Sequence, residues 1–177
     1  ELTGEVLKVI KSLADSNMTD THRSYLCDLE RVTFSSTNSV INDLASPTVT
    51  WAGKALNLES KVALRFIIDA KNYAGSPEDL SLHVTYTDYA GGEITVIIDH
   101  CTIYNSTLSY YSFSFDGLLA AELRSDVSVA VYAGSTRVSQ TLEYNASTYG
   151  NNKTGQLLTL CKALFAYSDS AKAYFVK

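Results

Sequence analysis

The chain has 177 residues, nearly half of them apolar, and 14 Lys and Arg against 19 Asp and Glu give a formal net charge of −5. Its cations are scattered, which excludes the basic stripe that nucleic acid or an anionic membrane surface demands. No apolar run approaches the ~20 residues that cross a bilayer.

A domain of this length buries roughly 70% of its unfolded surface, so it folds without a metal or disulfide staple. Glu1-Leu2-Thr3-Gly4 carries no basic region followed by an apolar one, which suggests a mature or excised segment. Val6, Ile10 and Leu13 recur at helical spacing, with Leu7 and Val9 widening the stripe. Asp15-Ser16-Asn17 breaks it, Thr19 and Asp20 form an N-cap, and Tyr25, Leu29 and Val32 continue one face of a second helix. Residues 1–47 therefore read as a helical hairpin and a polar linker, with a short apolar contact at Val40-Ile41.

From 48 to 143 the period falls from 3.6 to 2. A strand is predicted at Thr48–Trp51. Val62, Leu64, Phe66 and Ile68 then alternate with Ala63, Arg65, Ile67 and Asp69, and Leu80, Leu82, Val84 and Tyr86 with Ser81, His83, Thr85 and Thr87. Ile94, Val96 and Ile98 follow, then Tyr111, Phe113 and Phe115, then Val127, Val129 and Val131, and a last strand covers 136–143. Asp88-Tyr89-Ala90-Gly91-Gly92 and Ala133-Gly134-Ser135 read as hairpin turns. One-sided alternation belongs to antiparallel sheets with one wetted face. The prediction is an antiparallel β-sandwich of about seven strands, mainly β in class, flanked by helices.

Residues 144–177 read as a polar loop followed by a helix opened by Thr154. Leu157, Cys161, Leu164, Ser168, Ala171 and Phe175 lie on one side of it, broadened by Leu160, Phe165 and Tyr174. A helix that apolar must be docked, and the expected partner is the N-terminal hairpin. Residues 3–13 echo residues 154–164, either by chance or because such units repeat in a longer array. Three cysteines, Cys27, Cys101 and Cys161, show no CxxC spacing or regular pairing. Buried thiols are one reading and a single bridge the other; redox compartment stays undecided.

Several segments resemble a module repeated in large surface and secreted proteins of Gram-positive gut anaerobes. The resemblance rests on Leu157 through Tyr167 with Ser170-Ala171-Lys172-Ala173-Tyr174-Phe175, similar to that family's terminal helix. Phe115-Asp116-Gly117-Leu118-Leu119-Ala120-Ala121-Glu122-Leu123 resembles its strand and helical turn, and Leu56 through Phe66 its first long strand. Such modules sit beside glycan-degrading enzymes, leucine-rich repeats and dockerins. The resemblance implies an extracellular or cell-surface location and a link to carbohydrate processing. No dockerin calcium loop of the D-x-[DN]-x-[DN]-G kind occurs in the chain.

Catalysis finds little support in the residues. There is no G-x-S-x-G elbow, and the histidines are His22, His83 and His100. Asp99-His100-Cys101 places three reactive types side by side, but neighbours in a strand face opposite ways. Asp116, Glu122 and Asp126 fall in one loop region, where two of them could act as a glycosidase pair or all three could favour a structural calcium ion; the competing reading is a turn-stabilising Asp116 beside solvated charges. The expectation is a non-catalytic module with no cofactor.

Recognition by stacking is the better lead. Sugars offer apolar C–H faces to aromatic rings and hydroxyls to polar groups, and the chain has twelve Tyr. Trp51, Tyr73, Tyr89, Tyr110 and Tyr132, with Arg65, His83 and Thr85, are the residues predicted to line an open sheet face. Against this, a lone Trp in a sandwich is commonly core, and strand Tyr are commonly cross-strand partners. The expected function is carbohydrate binding, a polysaccharide or glycan being the partner; the alternative is a spacer or protein-interaction module in contact with other surface proteins. The sequons at Asn17, Asn105, Asn145 and Asn152 read as chance if the bacterial resemblance holds.

Overall fold

The computed structural model describes residues 39–58 and 61–176. The predicted N-terminal hairpin, and its packing against the C-terminal helix, lie outside the described residues. What is described is mainly β: two antiparallel sheets and one C-terminal helix.

The strands are β1 (Val40–Ile41), β2 (Thr50–Asn57), β3 (Ala63–Asp69), β4 (Leu80–Thr87), β5 (Glu93–Asp99), β6 (Thr102–Asn105), β7 (Tyr110–Phe115), β8 (Asp126–Ala133), β9 (Thr136–Arg137) and β10 (Thr141–Asn145). The larger sheet runs β1-β10-β8-β4-β5, with β9 paired to β8; the smaller runs β2-β3-β7-β6. Their apolar parities share one core. Leu80, Leu82, Val84, Val127, Val129, Val131 and Leu142 enter from the larger sheet, and Leu64, Phe66, Ile68, Phe113 and Phe115 from the smaller. All twelve are buried.

Turn chemistry sets the register where the sequence predicted it. Asp88 accepts backbone N–H bonds from Ala90 and Gly92 on one carboxylate oxygen, and Gly91 takes a φ of 89° to close the β4–β5 hairpin. The chain crosses from β5 to β6, and so from one sheet to the other, at His100, whose φ is 65°. Among non-glycine residues that left-handed conformation is uncommon.

Five features differ from the sequence reading. Leu56 to Phe66 is not one strand: β2 ends at Asn57 and β3 begins at Ala63. The predicted Thr48–Trp51 strand becomes Thr50–Asn57, with a bulge between Trp51 and Gly53 that shifts the alternation. The predicted 136–143 strand splits, because the Ser139 hydroxyl accepts the Val131 N–H at 2.8 Å and a side chain replaces a ladder bond. β6 was not predicted, and the polar loop after Tyr144 contains a 3₁₀ turn, Ala146–Asn152, capped by the Asn145 side chain.

The C-terminal helix α1 (Gly155–Phe175) packs on that turn and on a second 3₁₀ turn, Ala120–Glu122. Its buried stripe is Leu157, Cys161, Phe165 and Ser168. Leu164 is half-buried, whereas Tyr174 and Phe175, predicted to dock, are exposed. Among the described residues no helix is long and apolar enough to cross a membrane.

Candidate functional site on the outer face of the larger sheet

Each sheet turns one parity toward the shared core, so the opposite parities form two outer faces. They differ in kind. On the smaller sheet the outward positions include Ala55 at 2% exposure, Ile67 at 3%, Ala63 and Ser112, all buried. On the larger sheet the outward positions are mostly polar and reached by solvent, and three rows cross it in register. Asp99, Ser81, Tyr132 and Arg137 form the first; Ile97, His83 and Ala130 the second; Thr95, Thr85, Ser128 and Glu143 the third.

Strand geometry places the rows about 7 Å apart and the strands about 4.8 Å apart. His83 and Tyr132 are diagonal neighbours, and their rings stack at 3.9 Å between centroids with 20° between planes. Small residues lie directly opposite each, Ser81 facing Tyr132 and Ala130 facing His83, and both rings are half-buried. Beside it, the Thr85 and Thr95 hydroxyls lie 3.2 Å apart in a hydrogen bond. Ile97 adds an exposed apolar group at 55% exposure. The surface thus joins an aromatic ridge, one aliphatic side chain and a row of hydroxyls.

Of the eight side chains predicted to line an open sheet face, the structure brings His83 and Tyr132 together here, with Thr85 on the next row. The other five lie elsewhere. Trp51 is half-buried, packs edge-on against Phe66 at 6.3 Å, and donates its indole N–H to the Gln140 carbonyl at 2.9 Å. That is the core alternative. Arg65 and Tyr110 point outward from the smaller sheet, opposite Ser114 and Asp69, and each is half-buried. Tyr73 occupies the β3–β4 connection and packs against the core. Tyr89, in the β4–β5 turn, meets Phe175 of α1 at 5.7 Å.

Sequence reasoning missed Ile97, although the signal was present. In Ile94-Thr95-Val96-Ile97-Ile98 the inward set is 94, 96 and 98, which leaves an isoleucine on the wet parity. It also read Glu122 as solvated. Glu122 is 2% exposed, and its carboxylate accepts the Leu119 N–H at 2.9 Å and the Tyr89 N–H at 3.3 Å.

The remaining reactive groups are held in structural roles. Asp116 pairs with Lys61 at 2.8 Å, and Asp126 accepts from the Asn145 amide at 2.8 Å. With Glu122 capping backbone, these three carboxylates do not converge, and among the described residues no group of three metal-ligating side chains forms. In Asp99-His100-Cys101 the histidine is exposed at the corner, while the Cys101 thiol donates to the Pro77 carbonyl at 2.9 Å. Burial pushes that thiol up to about 11, the reverse of an activated nucleophile. Cys161, likewise raised by burial, is a free thiol, as is Cys101.

A groove of about 420 Å³ lies between α1 and the Ala146–Asn152 turn, with Arg124, Lys153, Lys162 and Asp169 among its lining and Cys161 below. Arg124 is clamped bidentately by Asp169 at 2.6 and 2.9 Å and lies over the Phe165 ring. None of the predicted recognition residues lines it. No protein-family model and no curated protein sequence matches the chain.

Proposed function

We propose that the chain is a non-catalytic carbohydrate-binding module, a β-sandwich whose larger sheet uses its outer face to hold an extended glycan. The observation that carries this reading is the His83–Tyr132 stack, standing on an open face beside a row of hydroxyls. Aromatic rings take the apolar C–H faces of a sugar, and Thr85, Thr95, Ser128 and Ser81 exchange hydrogen bonds with its hydroxyls. Both contributions come from rigid strands, which limits the ordering cost of binding. The resemblance to modules of secreted proteins from Gram-positive gut anaerobes supports an extracellular or cell-surface setting. Groups held in capping bonds, ion pairs and a raised thiol support the absence of catalysis.

The test is affinity electrophoresis and calorimetry against a panel of plant and host polysaccharides, with Tyr132→Ala beside the parent. The reading predicts saturable binding to at least one polymer and a loss of about tenfold or more in the variant, with the fold unchanged by circular dichroism. No binding to any polymer, or binding that Tyr132→Ala leaves intact, contradicts it.

The second reading, a protein-interaction or spacer module, is favoured by the apolar cluster of Leu119, Tyr174, Phe175 and Val176, each more than half exposed at the α1 end. It predicts that Tyr174→Ser with Phe175→Ser abolishes capture of a protein partner and leaves polysaccharide retention unchanged.

A further inference from the structure

Resting on that reading, we infer that the outer face of the larger sheet selects uncharged glycans and rejects uronate-bearing or sulfated ones. The inference comes from the charges around the aromatic ridge. Asp99 projects outward from the β5 edge in the row of Tyr132, and Glu143 from β10 one row from His83, while Glu93 and the Asn145-bonded Asp126 lie two rows from His83 at the far end of the face. The cation facing them among the described residues is Arg137, and it is already engaged. Its guanidinium bonds the Asp43 carboxylate at 3.1 Å and the Asp43 carbonyl at 2.7 Å. Asp43 also accepts the Thr141 hydroxyl at 2.6 Å and the Thr141 N–H at 3.0 Å. Those bonds and the neighbouring guanidinium hold its carboxyl below the usual carboxylate range, so it stays ionised as a partner for Arg137.

A sugar lying on His83 and Tyr132 therefore meets carboxylate acceptors at its rim. Neighbouring hydroxyls of a neutral sugar donate to such acceptors in short, charge-assisted bonds. A uronate or sulfate at the same place meets the field of those carboxylates, which reaches furthest at low salt, with no unengaged arginine to receive it. Like-charge juxtaposition is the cheapest way for a binding surface to exclude a wrong partner.

The experiment uses the full chain and whichever neutral hexose polymer the panel retains most strongly, before and after oxidation of its primary hydroxyls to carboxylates. The expected result is a loss of about tenfold or more on oxidation at low salt, shrinking as salt rises. In the double variant Asp99→Asn with Glu143→Gln the gap between the two forms narrows. Oxidised polymer bound as tightly as the parent, or polyanions as the only ligands found, overturns the inference and leaves the glycan-binding reading standing. A loss on oxidation that neither salt nor the double variant reduces also overturns it, since a missing hydroxyl then explains the loss. Failure of every polymer to bind removes the underlying reading and the inference with it.

Discussion

Single side chains carry three exposed commitments. Tyr144 is buried near the end of β10, edge-on to Phe66 at 6.1 Å, and its hydroxyl finds no hydrogen-bond partner among the described residues. An orphaned buried hydroxyl costs about 1–3 kcal/mol, so Tyr144→Phe raises stability by about 1 kcal/mol in urea unfolding. A loss of that size would mean that the hydroxyl is bonded. Glu122 is the opposite case: Glu122→Ala strands the N–H groups of Leu119 and Tyr89 and costs about 2–4 kcal/mol, with Glu122→Gln costing less because one acceptor remains. Cys101 gives a pH signature. Its neutral form is favoured in the fold, so its contribution to stability is complete below 9, the ordinary thiol value, and is lost as pH climbs toward about 11. Alkylation at Cys101, mapped by mass spectrometry, should still be accelerating at pH 10, where an ordinary exposed thiol has levelled off. Burial of Cys101 was one of the two readings of its residues; the bare Tyr144 hydroxyl and the Tyr89 N–H held by Glu122 were not legible, because each depends on what the fold sets against a side chain from far along the chain.

At the scale of elements, alternation was the legible signal, and it was strongest where strands are central. β4 sits between β8 and β5, and its Leu80, Leu82, Val84 and Tyr86 set is buried as the period of 2 predicts. Strands failed to declare themselves where a bulge or a side-chain bond interrupts the count, as at Trp51–Gly53 in β2 and Ser139 before β10. β6 lies at the sheet edge with three of its four residues exposed, so its sequence carries no burial to read. The helix was legible as a helix, but its docked length was not: the buried stripe stops at Ser168, nearly two turns before the exposed Tyr174 and Phe175, of which Phe175 meets Tyr89. Phe165→Ala should therefore cost about 3–5 kcal/mol and raise hydrogen exchange through α1 and the Ala146–Asn152 turn. Phe175→Ala should leave both nearly unchanged. Equal effects from the two substitutions would contradict the docking described for α1.

For the whole molecule, the difference between the two outer faces is what the proposed recognition rests on. Composition marked Tyr as abundant, and parity placed His83, Thr85 and Tyr132 on the wet side of their strands. Neither could say that the smaller sheet's outer face is closed over Ala55 and Ile67, or that Trp51 turns into the core, because both follow from how layers stack. The sequence-level set therefore mixed one real neighbourhood with five residues drawn from other parts of the surface. Nitrogen–proton correlation spectra of the labelled chain, recorded while its best-retained neutral oligosaccharide is added, test this most directly. The account predicts shifts concentrated in the outward residues of β4, β5 and β8 around His83, Ile97 and Tyr132, with α1 and β2 silent. Shifts gathered at the Arg124–Lys153 groove or on the smaller sheet, with the His83–Tyr132 neighbourhood unmoved, would contradict it.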